Sequence, residues 1–174
     1  DCLAVSSPRH ETLLALAKYA GIPVLNAGSG FCTPVQELAD LITMYEHLPK
    51  EKRLEECKLV FEGPASAAAA SCLFIASKMG MKFVQVAPGP DQIKPQAVKI
   101  AERNIKKSGG AFLLTEDAAE GYREADFVRT DAAEWTPPAV NGEKPPFLVP
   151  VNENLHSAAR TALDAARTGL ASAE

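Results

Sequence analysis

Short apolar runs alternate with amphipathic stretches along the chain as far as Asp131, and this alternation restricts the fold more than any single motif. Residues 2–5 read as a strand, 11–20 as a helix closed by Gly21, and 24–26 as a second strand. A helix from Thr33 follows. After the charged link PKEKRLEE come the strand 58–62, the helix 66–79 stopped by Gly80, and the strand 82–86. The helix 96–107 ends at Ser108-Gly109-Gly110; then come the strand 111–115, a short helix 117–122 that Thr115 is placed to cap, and the strand 126–130. Strand and helix in strict alternation predict a parallel sheet with helices on both faces, because parallel neighbours need a crossover that a helix supplies. The expected class is α/β, a doubly wound parallel sheet.

Regularity ends after Asp131. Between Thr136 and Pro150 stand Pro137, Pro138, Pro145, Pro146 and Pro150, with Asn141-Gly142 among them. Proline removes ladder and helix hydrogen bonds, so this stretch is expected as an extended connector or wrapping loop. Trp135, Phe147 and Leu148 in and beside it are candidate partner contacts, since clustered large apolar residues have no use in a solvated linker; the alternative is that Trp135 and Phe147 fold back over the cleft of their own domain. An alanine-rich stretch from Glu153 places Leu155, Ala159, Ala162, Leu163 and Ala166 on one side of a final helix.

Composition excludes several classes. With 174 residues, 47% hydrophobic and 23% charged, the chain is globular rather than disordered. A net charge of −4 gives no electrostatic handle for nucleic acid or anionic membrane. No apolar run approaches the ~20 residues of a membrane span, and the first residues have neither the basic region nor the apolar length of a signal peptide. Cys2, Cys32, Cys57 and Cys72 are widely spaced, without a C-x-x-C, and the histidines (His10, His47, His156) do not fall at ligand spacing. Reduced thiols, no metal site and no cofactor are expected.

The stretch GFCTPVQELADLITMYEHLP has a marked start and finish. Thr33 suits an N-cap, Pro34 the first helical position, and Gln36 completes a capping box; Leu38, Leu41, Ile42 and Tyr45 fall on one face expected to be buried. This stretch resembles the His-Pro-x-Gln helix, followed by Leu-Ala-Asp, of the ornithine and aspartate carbamoyltransferases. LLALAKYAGIPVLNAGSGF before it is similar to the strand and Asn turn that precede that helix in the family. KLVFEG, KMGMKFVQVAPGP and GGAFLLTEDAAEGYREADFVRTD are similar to the first strands of the family's ornithine-binding domain, and ENLH to the opening of its last helix. On this resemblance residues 1–48 are the remnant of a carbamoyl-phosphate-binding domain, 49–135 a degenerate ornithine-binding domain, 136–150 a Pro-rich connector and 151–174 a C-terminal helix.

The resemblance also implies a substrate site, and here the chain departs from the pattern. The family's Ser-Thr-Arg-Thr-Arg phosphate loop does not occur in this sequence, and the place of a second phosphate-binding arginine falls on Ser6. The histidine that meets the carbamoyl oxygen is Thr33. Pro64 stands for an aspartate, and Ala67 and Ala68 for the asparagines that hold the α-amino acid; FLVP, residues 147–150, stands for His-Cys-Leu-Pro. Alanine offers a zwitterion no hydrogen bond. Gln36 and Asp131 are the substrate-binding residues that remain, and each has a plain structural role as well, Gln36 in the cap and Asp131 in capping a turn. Ser66 reads as an N-cap, Gly28-Ser29-Gly30 as a turn, and Lys99, Arg103, Lys106 and Lys107 as a solvated helix face.

Losing one oxyanion donor costs ~3 kcal/mol of transition-state stabilisation, so losing this many groups predicts a chain that is not an enzyme. The expectation is a catalytically inactive, carbamoyltransferase-like structural or interaction subunit of a larger hetero-oligomeric assembly, in the mitochondrial matrix or another organelle, otherwise in the cytoplasm. Two alternatives stand beside it. One is a regulatory pseudoenzyme partner of an active carbamoyltransferase; the other is an ornithine carbamoyltransferase, joining carbamoyl phosphate and L-ornithine to citrulline, represented by an incomplete chain.

Overall fold

The computed structural model describes residues 2–132 and 146–149. Two parallel sheets follow one another along the chain. The first pairs β1 (Leu3–Ser7) with β2 (Val24–Ser29) through α1 (His10–Tyr19), and α2 (Pro34–Glu46) follows. The second is built from β3 (Lys58–Glu62), α3 (Ala67–Met79), β4 (Lys82–Val86), α4 (Pro95–Ser108), β5 (Ala111–Thr115), α5 (Ala118–Tyr122), β6 (Phe127–Thr130) and β7 (Phe147–Leu148). Its strand order is β5-β4-β3-β6-β7, with every neighbouring pair parallel. The alternation of strand and helix dictates this, as each crossover returns the chain to the same end of the sheet.

Side-chain alternation along the strands divides the core. Leu59, Phe61, Phe83 and Phe127 point to the face covered by α3 and α4, and Val60, Val84 and Val128 to the face where Tyr122 of α5 packs. Helix α3 is buried from Ala69 to Ser77 because the sheet, α2 and α4 all lie against it, so its run AAAASCLFIAS needs no polar stripe. Gly80 and Gly109 end α3 and α4 at φ +76° and +81°, left-handed backbone that a side chain resists. At the short helix the cap is Asp117, whose carboxylate accepts from the Ala119 and Glu120 amides; the expected Thr115 instead accepts from the Asp117 amide.

The first sheet differs from expectation in one important respect. Leu38 and Tyr45 of α2 are exposed, while Glu37, Ala39, Asp40, Thr43 and Met44 are buried. The face turned inward thus carries polar residues that meet Ser71 and Arg129, while Met44 and Leu41 on the same helix join the apolar core. The capping box also does not form: Thr33 is the N-cap without a side-chain cap bond, and the Gln36 amide turns to Asp40. Within the proline-bearing span, Phe147 and Leu148 form the edge strand β7. The Phe147 ring stacks on His47 with centroids 4.1 Å apart and meets Phe127 edge-on, Val149 is buried, and Leu148 is exposed. Trp135, most of the Pro-rich connector and the expected final helix lie outside the described residues.

Candidate functional site

In a parallel α/β sheet the strand order reverses at one place, and the loops beyond the carboxyl ends of the two strands there diverge to leave a crevice. In this sheet that place lies between β3 and β6, since the chain runs outward from β3 to β4 and β5 before returning to β6 on the other side. The turn after β3 carries Gly63, Pro64, Ala65 and Ser66; Asp131 follows β6 directly. Their side chains meet. The Ser66 hydroxyl donates to Asp131 Oδ2 at 3.0 Å while Ser66 Oγ accepts from the Ala69 amide, capping α3.

Asp131 is held from a second side by Arg129, whose Nη1 lies 3.2 Å from Asp131 Oδ1. Arg129 is itself buried in β6, and its Nε donates to Asp40 Oδ2 of α2 at 3.1 Å. The other Asp40 oxygen accepts from Gln36 Nε2 at 2.6 Å. One continuous chain of hydrogen bonds therefore runs Gln36–Asp40–Arg129–Asp131–Ser66, from α2 across the sheet to the start of α3. Of the two residues read from sequence as retained, Gln36 stands at one end of this chain and Asp131 next to the other, between Arg129 and Ser66.

The other positions read from sequence are distributed differently. Thr33 donates its backbone N–H to Ser71 Oγ at 2.7 Å, and its hydroxyl faces the same oxygen at 3.4 Å, which fastens the start of α2 to α3. Ser6 lies at the register break of β1 opposite Gly28 and takes no part in this chain. Ala67 opens α3 and lines a cavity of about 140 Å³ with Phe31, Ser66, Ile93 and Lys94, whereas Ala68 packs against the core. Pro64 stands in the β3–α3 turn. His10 Nδ1 lies 3.1 Å from Ser29 Oγ, a contact that sequence did not indicate.

Burial shapes the electrostatics. Glu37, one turn from Asp40, is pushed up to about 8, chiefly by desolvation, with the neighbouring Asp40 carboxylate adding to the shift and the Ser71 and Ile75 contacts opposing it. Desolvation also raises Asp40, against the opposing pull of Arg129 and Gln36. Cys72, buried beneath α2, is raised well above the usual thiol range by desolvation and is not a nucleophile. Arg129, Asp40, Glu37 and Ser71 were all missed as site neighbours. The one available signal was Arg129 itself, a cation inside the strand DFVRT that has to find a partner wherever it is buried. Among the described residues no group of three or more His, Cys, Asp and Glu is placed to hold a metal, and no helix is long and apolar enough to cross a membrane.

No family model matches the chain. It is similar to a putrescine carbamoyltransferase of Mycoplasma capricolum, 38% identical over 142 residues that cover 78% of this chain and 39% of that protein. An ornithine carbamoyltransferase of Thermococcus kodakarensis is 36% identical over 122 residues, 70% of this chain and 38% of the relative. The solved ornithine carbamoyltransferase from Gloeobacter violaceus superposes with a TM-score of 0.71 at 31% identity, over 76% of this chain and 45% of that one. The chain spans about two fifths of the length of the curated relatives it matches. These relatives are named as enzymes, and that corrects the expectation of a chain that is not one. Of the groups that expectation counted as lost, the phosphate loop belongs to a part of the family's length that this chain does not span, whereas Ser6, Thr33, Pro64, Ala67 and Ala68 stand within the chain.

Proposed function

Because this chain belongs to the ornithine/aspartate carbamoyltransferase family, we propose that it carries the acceptor side of a carbamoyl transfer, in which a primary alkyl amine takes the carbamoyl group from carbamoyl phosphate. The observation that carries this reading is the hydrogen-bonded chain that links Gln36 on α2 to Asp131 at the crevice beside β3 and β6. The amine nitrogen attacks the carbamoyl carbon, the carbon–oxygen bond to phosphate breaks, and the amine proton leaves with phosphate or solvent. Asp131 suits the amine. Its side chain is 45% exposed beside Ser66, so a carboxylate faces the opening and can accept hydrogen bonds from an ammonium or amine. Gln36 presents its amide oxygen, since Asp40, an acceptor, takes the NH₂. Arg129 is committed to Asp40 and Asp131, so the cations that hold phosphate come from the remaining family length.

The acceptor favoured is a diamine of the putrescine type. Ala67 lines the cavity beside Phe31, Ala70, Ile93 and Ala97, apolar groups fitted to a polymethylene body, and Ala67 itself offers no hydrogen bond to an α-amino acid; among the described residues Gln96 is the one amide side chain on this lining. A second reading, ornithine, is favoured by Lys94, which stands on the same lining and can pair a carboxylate. On either reading the exposed Leu14, Tyr19 and Tyr45 rest against further polypeptide of the complete assembly.

Incubating the complete protein with labelled carbamoyl phosphate and either amine is expected to yield carbamoylputrescine or citrulline, with Asp131→Asn lowering turnover about a hundredfold. Lys94→Ala is expected to raise the KM for ornithine and spare putrescine. Absence of a carbamoylated product from both amines would overturn the proposal.

A further inference from the structure

We propose that Arg129, paired with Asp40, is a positioning residue that fixes Asp131 toward the acceptor amine and ties it to Gln36 in the first turn of α2. The inference rests on the acceptor-side reading above and adds to it a residue that the family pattern does not supply.

The argument begins with cost. A guanidinium side chain 2% exposed inside a parallel strand is among the least favourable choices in a sheet, and an apolar residue would fill β6 more cheaply. Its neighbours Phe127 and Val128 are fully buried apolar residues, so nothing in the strand itself asks for a charge. What the charge does is visible in its partners. It donates from Nε to Asp40 Oδ2 and from Nη1 to Asp131 Oδ1 and to the Thr130 carbonyl. A planar fork can serve two carboxylates at a fixed angle; a lysine ammonium at the same place is a point charge on a shorter reach.

The two carboxylates differ. Asp40 is 5% exposed and Asp131 45%, so the inner acid and the guanidinium neutralise each other, and the outstanding negative charge of the trio sits on Asp131 at the opening. Both Asp131 oxygens already have one donor, Arg129 on Oδ1 and Ser66 on Oδ2, which fixes the plane of the carboxylate and leaves its outer lone pairs for the substrate. The inner acid transmits the same constraint to α2, because Asp40 Oδ1 holds Gln36 Nε2 and so decides which end of that amide faces the crevice. Gln36 and Asp131 are thereby set at one separation by a buried ion pair, the condition for a near-attack geometry.

The test combines a readout on the 174-residue chain with kinetics on the complete protein. In the chain, Arg129→Met and Arg129→Lys are compared with the double change Asp40→Leu/Arg129→Leu, which fills the space without leaving an unpaired buried charge. Nitrogen-15 spectra follow the Gln36 side-chain amide and the Ala69 backbone amide, which report the two ends. Both signals are expected to move together in Arg129→Met and in the double variant, and only partly in Arg129→Lys. In the complete protein, the double variant is expected to raise the amine KM about tenfold or more, with a smaller rise in the carbamoyl phosphate KM as Gln36 loses Asp40, and Arg129→Lys is expected to recover part of the loss. A double variant that folds with an unchanged amine KM overturns the proposal, as does independent movement of the Gln36 and Ala69 signals. If the unmodified protein transfers no carbamoyl group at all, the functional reading falls, and the two amide signals still decide whether the positioning link exists.

Discussion

The two sheets of this molecule are made from the same β-α units, yet they solve the burial problem differently. The five-stranded sheet encloses Leu59, Val60, Phe61, Phe83 and Phe127 completely, with helices on both faces. In the two-stranded sheet Leu14, Tyr19 and Tyr45 stay 60%, 76% and 69% exposed, and Leu13 is the one buried residue of α1. The lesson is one of layers. Two strands and two helices cannot cover one another's apolar faces, whereas a third layer over a wider sheet does so without further help. What fastens the smaller part to the larger is a mixed joint: Thr33 bonds to Ser71 and Asp40 to Arg129, beside the apolar contacts of Met44, Leu41 and Phe31 on the larger core.

Four substitutions put this contrast to the test. The largest effect is expected from Phe61→Ala, which empties the saturated core; urea unfolding should register a loss of ~3–5 kcal/mol. A loss under 1 kcal/mol would mean that the core of the large sheet is as incomplete as that of the small one. Next comes the joint, read through pH. The folded chain holds the Glu37 proton up to about 8 against an ordinary value of 4.5, so the folded state binds that proton more tightly than the unfolded one. Its stabilising contribution is therefore complete below pH 4.5, declines as pH rises from 4.5 to about 8, and changes no further above that. The slope approaches ~1.4 kcal/mol per pH unit within the window. Glu37→Gln should flatten the profile of melting temperature against pH over this range; an unchanged slope would place the titrating group elsewhere.

Ser66→Ala is expected to cost about 1 kcal/mol through loss of the α3 cap, and to free one oxygen of Asp131. Denaturant midpoints would show it, and a cost near zero would mean that the helix start is held by other contacts. The smallest effect belongs to the small sheet. Leu14→Ser on the exposed side of α1 should change the stability of the 174-residue chain by less than about 0.5 kcal/mol. A loss of several kcal/mol would show Leu14 covered in solution and the contrast between the sheets overstated.

The order of elements was legible because apolar runs, glycine stops and caps are local signals: Gly80 and Gly109 end their helices where a left-handed residue is required. The buried face of α2 was not. Apolar periodicity pointed to Leu38 and Tyr45, but the side that packs is the one carrying Glu37, Asp40 and Thr43, whose partners lie far away in sequence. Thr33 and Ser71 are 38 residues apart, and Asp40 and Arg129 are 89 apart. A polar interface satisfied at such separations leaves no periodic trace. The same limit explains the site: Gln36 and Asp131 were found by resemblance, whereas the ion pair that joins them is visible only once β6 lies beside β3. The expectation of a chain that is not an enzyme failed for a different reason, since departures at single positions such as Thr33 and Ala67 do not outweigh relatives that are named as enzymes.

The position of β3 has a consequence for how the molecule comes into being. It is the first strand of its sheet in sequence, but it ends at the centre, with Leu59–Glu62 paired to β4 on one side and to Phe127–Thr130 on the other. During synthesis β3, β4 and β5 can zip together early through short crossovers, which leaves the free side of β3 as an open edge of unsatisfied main-chain groups. That edge waits for a strand more than sixty residues downstream, a long-range pairing that is slow to find. When β6 arrives it seals the edge and, in the same motion, delivers Arg129 and Asp131 to Ser66 and Asp40. The crevice is assembled last, and a nascent chain caught before that step has most of its sheet and none of its acceptor site.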